Sequence, residues 1–65
     1  MKNRIQELRK EKRMTQEELA GLCNVTRQTI ISLENGRYNP SIFLAHNIAQ
    51  IFLLTIEQIF IFEEE

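Results

Sequence analysis

Arg27, Gln28, Ile31 and Ser32 share the outer face of one short helical pattern, and together they present a guanidinium, a carboxamide, an aliphatic group and a small hydroxyl. Those are the groups with which a DNA major groove can be read. Arginine pairs with the O6 and N7 acceptors of guanine, a carboxamide with the N6 and N7 edge of adenine, and an aliphatic group meets the thymine methyl. Position strengthens the reading. Arg27 and Gln28 fall in the first helical turn, where backbone amides and the positive end of the helix dipole also favour nearby phosphates.

Presenting that face requires two short helices joined by a tight turn. Thr15 followed by Glu18 is a capping box: the Thr15 hydroxyl accepts from the Glu18 N–H, and the Glu18 side chain accepts from the Thr15 N–H. A helix therefore begins at Gln16. Leu19, Ala20 and Cys23 are spaced to form one apolar stripe, and Asn24 is suited to the left-handed conformation that closes a helix. Asn24-Val25 is then the turn, with Val25 pointing inward. Thr26 caps the second helix, whose Ile30 and Leu33 lie on the buried side.

The blocks Thr15-Gln16-Glu17-Glu18-Leu19-Ala20, Val25-Thr26-Arg27-Gln28-Thr29-Ile30, Leu33-Glu34-Asn35-Gly36-Arg37-Tyr38-Asn39-Pro40-Ser41, and Leu44-Ala45 with Ile48-Ala49 occur in order. In these blocks the sequence resembles the Xre-type, lambda-repressor-like helix-turn-helix regulators over nearly its whole length. The length and the Tyr-Asn-Pro-Ser segment are most similar to the short stand-alone members, which are dimers without a separate ligand-binding domain. The resemblance implies that Gln16 contacts a phosphate and that Arg27, Gln28 and Ser32 occupy base-reading positions. It further implies that Asn35, Arg37 and Tyr38, in the following loop, contact the DNA backbone. Phosphate contacts fix register and base contacts specify sequence, so the two sets should respond differently to mutation.

Composition limits the other readings. Sixty-five residues leave room for one domain, 1–65, with a small core, since chains of this size bury only about 60% of their unfolded surface. Dimerisation would add stability. The single Cys23 excludes an internal disulfide framework, and without a matching histidine cluster it makes no zinc site. Cys23 reads as a small core residue and His46 as a surface or interface residue on the fourth helix. No leading apolar segment resembles a signal peptide, and no apolar run approaches the roughly 20 residues a membrane span needs. A cytoplasmic chain with no cofactor and no small-molecule ligand is expected.

The net charge of −1 conceals an asymmetry. Every lysine and arginine (Lys2, Arg4, Arg9, Lys10, Lys12, Arg13, Arg27 and Arg37) lies in the first 37 residues, whereas the part beyond carries only Glu57, Glu63, Glu64 and Glu65. A basic face separated from an acidic end is an electrostatic footprint for DNA. The Glu63-Glu64-Glu65 run is expected to be a solvated tail.

Three further helices complete an all-α bundle of five. Ile5 and Leu8 stripe a first helix from about Asn3 to Lys12, with Arg4, Lys10 and Glu11 on its polar side and Met14 plugging the turn that follows. Pro40 makes Gly36 to Asn39 a loop, and Ser41 caps a fourth helix with Ile42, Ala45, Ile48, Ala49 and Phe52 facing inward. Thr55 and Gln58 form a second capping box, opening a short fifth helix through Ile56, Ile59 and Phe60. Leu53 stands where glycine or asparagine is expected at a helix end. Ile59-Phe60-Ile61-Phe62 has the composition to extend as a short strand, so residues 61–65 are left open between strand, helix and disorder.

Phe43, Ile51, Leu53, Leu54, Ile61 and Phe62 offer more apolar surface than one five-helix core needs, which marks a homodimer interface. With one histidine, one cysteine and no room for a cleft, the chain is not an enzyme. The expected function is a dimeric, sequence-specific DNA-binding regulator, a repressor on a palindromic operator. The alternative is an antitoxin-like interaction module whose apolar C-terminal surface holds a partner protein.

Overall fold

The order of elements follows from where hydroxyl side chains precede apolar stripes. In the computed structural model, which describes residues 1–62, the helices are α1 (Ile5–Glu11), α2 (Gln16–Cys23), α3 (Arg27–Glu34), α4 (Ile42–Phe52) and α5 (Ile56–Ile59). The acidic run at 63–65 lies outside the described residues. Thr15, Thr26, Ser41 and Thr55 each accept from the backbone N–H three residues on, at 3.0, 3.3, 3.1 and 3.2 Å. Both capping boxes close, with Glu18 accepting from the Thr15 N–H at 2.9 Å and Gln58 from the Thr55 N–H at 2.8 Å. The first helix is shorter than the apolar spacing predicts. Asn3 lies outside it in an antiparallel bridge to Phe60, and its Oδ1 accepts from the Ile5 N–H at 3.2 Å.

Helices α1 to α4 end in the same way. A residue with positive φ follows each helix: Arg13 (54°), Asn24 (57°), Gly36 (76°) and Leu53 (56°). Each closes a Schellman turn, seen in the bonds Met14 N–H to Arg9 O, Val25 to Ala20, Arg37 to Ser32 and Leu54 to Ala49, all between 2.9 and 3.1 Å. Only one of the four positions carries glycine. The residue after the positive-φ position ordinarily packs back on its helix, and Met14, Val25 and Leu54 do rest against the core. Arg37, the fourth, is exposed.

The core draws on all five helices: Ile5 and Leu8; Leu19, Ala20 and Cys23; Ile30 and Leu33; Leu44, Ala45, Ile48, Ala49 and Phe52; and Ile59, with Phe60 just beyond. Complete burial of side chains the size of Ile30 and Leu33 stabilises by about 1.5–3 kcal/mol each. Ile42, expected inside, is 75% exposed, and Leu44 takes the inward place at 6%. The stripe 44-48-52 with 45-49 is what faces the bundle, and Ile42 in the first turn overhangs it. Burial pushes the Cys23 thiol up, so it stays protonated and inert near neutral pH. Phe60 leaves the helical conformation (φ −100°, ψ 131°) and its side chain is buried. Of the strand left open for Ile59-Phe60-Ile61-Phe62, the described residues show one bridge, Asn3 to Phe60.

Candidate nucleic-acid interface

The outer face of α3 is fixed from behind. Ile30 and Leu33 are fully buried, which turns the first-turn residues Arg27 and Gln28 outward, both exposed; Ile31 and Ser32 are half-buried at its margin. Helix α2 packs chiefly on α3 and brings its own start alongside. Arg27 Nε and Nη2 each donate to Gln16 Oε1 at 3.3 Å.

Gln16 is held from the other end. Its Nε2 donates to Glu34 Oε1 at 3.1 Å, and the Glu34 carboxylate takes a two-pronged arginine, Arg9 Nε to Oε2 at 2.8 Å and Nη2 to Oε1 at 3.2 Å. Arg9 Nη1 donates to the Met14 carbonyl at 2.9 Å. The chain Arg9–Glu34–Gln16–Arg27 thus runs from the base of α1 to the first turn of α3. Charge-assisted and bidentate at its buried end, it holds the Gln16 amide before any ligand arrives.

Arg9 and Glu34 were not among the candidate residues of the sequence. A signal was present, because Arg9 sits beside Leu8 and one turn after Ile5, and Glu34 sits beside Leu33 and one turn after Ile30. Each is a charge at the edge of an apolar stripe, and the two have opposite sign. Arg9, Lys10, Arg13, Met14, Thr15, Gln16, Glu17 and Arg27 line one open cleft. Three exposed cations, Lys10, Arg13 and Arg27, therefore surround the N-terminal turn of α2. The basic face is narrower than the count of cations predicts, because Arg9 is buried and Arg4 bonds Glu7 at 2.7 Å and the Gln58 carbonyl at 3.2 Å.

At the far end of α3 the Schellman turn leads into a loop on which Asn35, Arg37 and Tyr38 are exposed. Gly36 suits the turn because its φ is +76°, a conformation in which a side chain is strained; a Cβ there would meet the Met1 carbonyl oxygen at 3.4 Å, an ordinary contact.

The family model described as "Helix-turn-helix" matches residues 5–59. This chain belongs to that helix-turn-helix family of transcriptional regulators. An uncharacterised helix-turn-helix-type transcriptional regulator of Archaeoglobus fulgidus is 55% identical over 65 residues, covering all of this chain and 92% of the relative. One of Methanothermobacter thermautotrophicus is 56% identical over 66 residues, covering all of this chain and 96% of its own. Among solved structures, the restriction-modification controller protein C.AhdI of Aeromonas hydrophila superposes with a TM-score of 0.76 at 29% identity, over 85% of this chain and 83% of its own. The fold of this helix-turn-helix regulator is accordingly the five-helix, lambda-repressor-like one, and the relatives it matches are named as transcriptional regulators rather than as enzymes.

The six apolar residues expected to mediate self-association divide. Phe43, Leu53, Ile61 and Phe62 are exposed, at 78%, 83%, 44% and 58%, whereas Ile51 and Leu54 are half-buried against the regulator's own core. Ile61 and Phe62 border a groove with Met1, Lys2 and Asn39; Leu54 borders another with Arg4, Leu8, Glu11, Lys12 and Phe52. His46 is exposed. Among the described residues no helix is long and apolar enough to cross a membrane, and no cluster of histidine, cysteine or carboxylate side chains could hold a metal ion.

Proposed function

We propose that this regulator is a homodimeric, sequence-specific repressor acting in the cytoplasm, where its DNA is, and that α3 of each protomer enters the major groove of a palindromic operator. The observation that carries the reading is the Arg9–Glu34–Gln16–Arg27 chain, because it spends a buried ion pair on orienting two polar side chains at the solvent edge. In this reading Arg27, Gln28, Ile31 and Ser32 meet base edges. Gln16, with Lys10 and Arg13 beside it, meets one phosphate, and Asn35, Arg37 and Tyr38 meet another at the opposite end of α3. Two phosphate clamps flanking one reading face fix register, as groove-docked helices require.

Self-association is supported by the exposure of Phe43, Leu53, Ile61 and Phe62, four large apolar side chains that a second copy would cover. A two-fold dimer demands half-sites about 34 Å apart, one turn of DNA. Repression follows from occupying promoter DNA. If the purified chain is instead monomeric at micromolar concentration, those side chains are left for a partner protein.

Selection of bound sequences from a random duplex pool at near-physiological salt tests the reading. A palindromic consensus bound about a thousandfold or more tighter than a scrambled control is expected. Weak binding to every duplex, fading uniformly with salt, would overturn it.

A further inference from the structure

The residues before α1 connect two surfaces that the proposed function keeps apart. On one side Asn3 Nδ2 donates to the Leu33 carbonyl at 2.7 Å and to the Met1 carbonyl at 3.1 Å. The Leu33 carbonyl already accepts from the Gly36 N–H at 3.0 Å, inside the turn that carries Arg37. Asn3 thus supplies a second donor to the acceptor on which that turn closes. On the other side Asn3 bridges Phe60: the Ile61 N–H donates to the Lys2 carbonyl and the Arg4 N–H to the Ile59 carbonyl, both at 2.8 Å. Asn3 Oδ1 accepts from the Ile5 N–H, so both ends of the carboxamide are engaged.

We infer that Asn3 is a positioning residue, a strut that, beside the Met1 ammonium donating to the Gly36 carbonyl at 2.8 Å, ties the turn after α3 to the extended segment 60–62 so that the two move as one body. Its functional consequence rests on the reading above. If α3 enters DNA and Ile61 and Phe62 meet a second copy, Asn3 sets the angle between the reading helix and the dimer contact, and hence the half-site spacing that two protomers accept.

Three features distinguish this tie from ordinary loop packing. The bonds connect residues 30 positions apart at one end and residues more than 50 apart at the other, which no local turn does. Asparagine is specifically needed, because an acceptor must face the Ile5 N–H while a donor faces the Leu33 carbonyl. The backbone bonds of residues 2 and 4 hold the C-terminal segment by its main chain, so its side chains remain available.

The test uses the full chain with Asn3→Asp, which keeps the acceptor for Ile5 and turns an oxygen toward Leu33 in place of an N–H. Asn3→Ser gives a second variant that keeps a short hydroxyl, cannot reach Leu33 and adds no charge. Loss of the Asn3–Leu33 hydrogen bond should accelerate amide exchange at Gly36 and Arg37 by about fivefold to tenfold, and because the two segments move as one body, Ile61 should accelerate with them although its own bond to the Lys2 carbonyl is kept. Leu19 and Ile48 in the core should keep their protection. On DNA, the preference for the selected operator over one with a single base pair inserted between half-sites should fall several-fold in both variants, while binding to an isolated half-site stays within about twofold.

Acceleration at Gly36 and Arg37 with Ile61 unchanged would overturn the strut, as would an unaltered spacing preference in the variants. Joint acceleration in a protein whose wild type shows no operator preference would uphold the tie within the fold and remove the repressor reading instead.

Discussion

The Arg9 guanidinium lies 2.8 Å from the Glu34 carboxylate, and the two side chains are only 10% and 4% exposed. A pair this dry is neutral in the ledger when intact and costly when broken, because the survivor keeps a buried charge without a partner. Arg9→Met should destabilise the fold by about 3–5 kcal/mol, and the double variant Arg9→Met/Glu34→Leu should recover much of that. Urea unfolding of the three proteins decides it. A loss below about 1 kcal/mol in Arg9→Met would mean that water reaches Glu34 and that the pair resembles a surface contact.

The two ends of the proposed interface should separate on mutation. Gln28→Ala is expected to cost about 1–3 kcal/mol on the operator and to relax preference at one base position, leaving random DNA bound as before. Arg37→Ala should weaken every duplex alike and lower the salt slope by about one. Arg37 is the one position after a Schellman turn where a core-packing hydrophobe is absent, so its removal should leave thermal stability nearly unchanged. Titration of operator and scrambled duplex at several salt concentrations reads both outcomes. If Arg37→Ala changes base preference but not the slope, its phosphate role is wrong.

Much of the fold was legible because the signals are local. A hydroxyl three residues before a backbone N–H, an asparagine after an apolar stripe, and a proline after a loop each act within one turn of chain, and the helix starts at Gln16, Arg27, Ile42 and Ile56 follow from them. Ile42 was misplaced because spacing alone gives the face of a helix and not how far the core extends along it. Local spacing extends α1 back to Asn3, because the antiparallel bridge that holds Asn3 outside the helix is made with Phe60, far away in sequence. The reading face of α3 was visible as a pattern, whereas the Arg9–Glu34 pair that orients Gln16 depends on α1 and α3 meeting. Only the misplaced charges on two apolar stripes hinted at it.

The capping box sets the titration of Glu18. The Thr15 backbone N–H donates to its carboxylate at 2.9 Å and, with the nearby Thr15 side chain adding to the effect, holds it below the usual glutamate range. A folded-state value below the unfolded one means that the carboxylate stabilises the helix start above the unfolded pKa, and that this contribution disappears as pH falls through the lowered folded value. Glu18→Gln still caps but cannot titrate. The stability difference between wild type and Glu18→Gln should therefore be flat at neutral pH and change only in the acidic range, as measured by thermal unfolding from pH 7 downward. A difference that moves between pH 6 and 8 would point to another group.

Leu53 carries two costs at once: φ is +56°, a conformation that L side chains other than asparagine rarely adopt, and the side chain is 83% exposed. Strain at a left-handed non-glycine residue is of order 1–3 kcal/mol, so Leu53→Asn should stabilise the isolated protomer by about 1 kcal/mol or more. If Leu53 lies in the dimer contact, the same change should weaken self-association, since burying a leucine side chain is worth about 1.5–3 kcal/mol. Sedimentation equilibrium and urea unfolding at low concentration measure the two effects separately. A protomer that gains stability while the dimer dissociates at higher concentration than the wild type places Leu53 in the contact. A gain in stability with unchanged association removes Leu53 from the interface and leaves Phe43, Ile61 and Phe62 to form it.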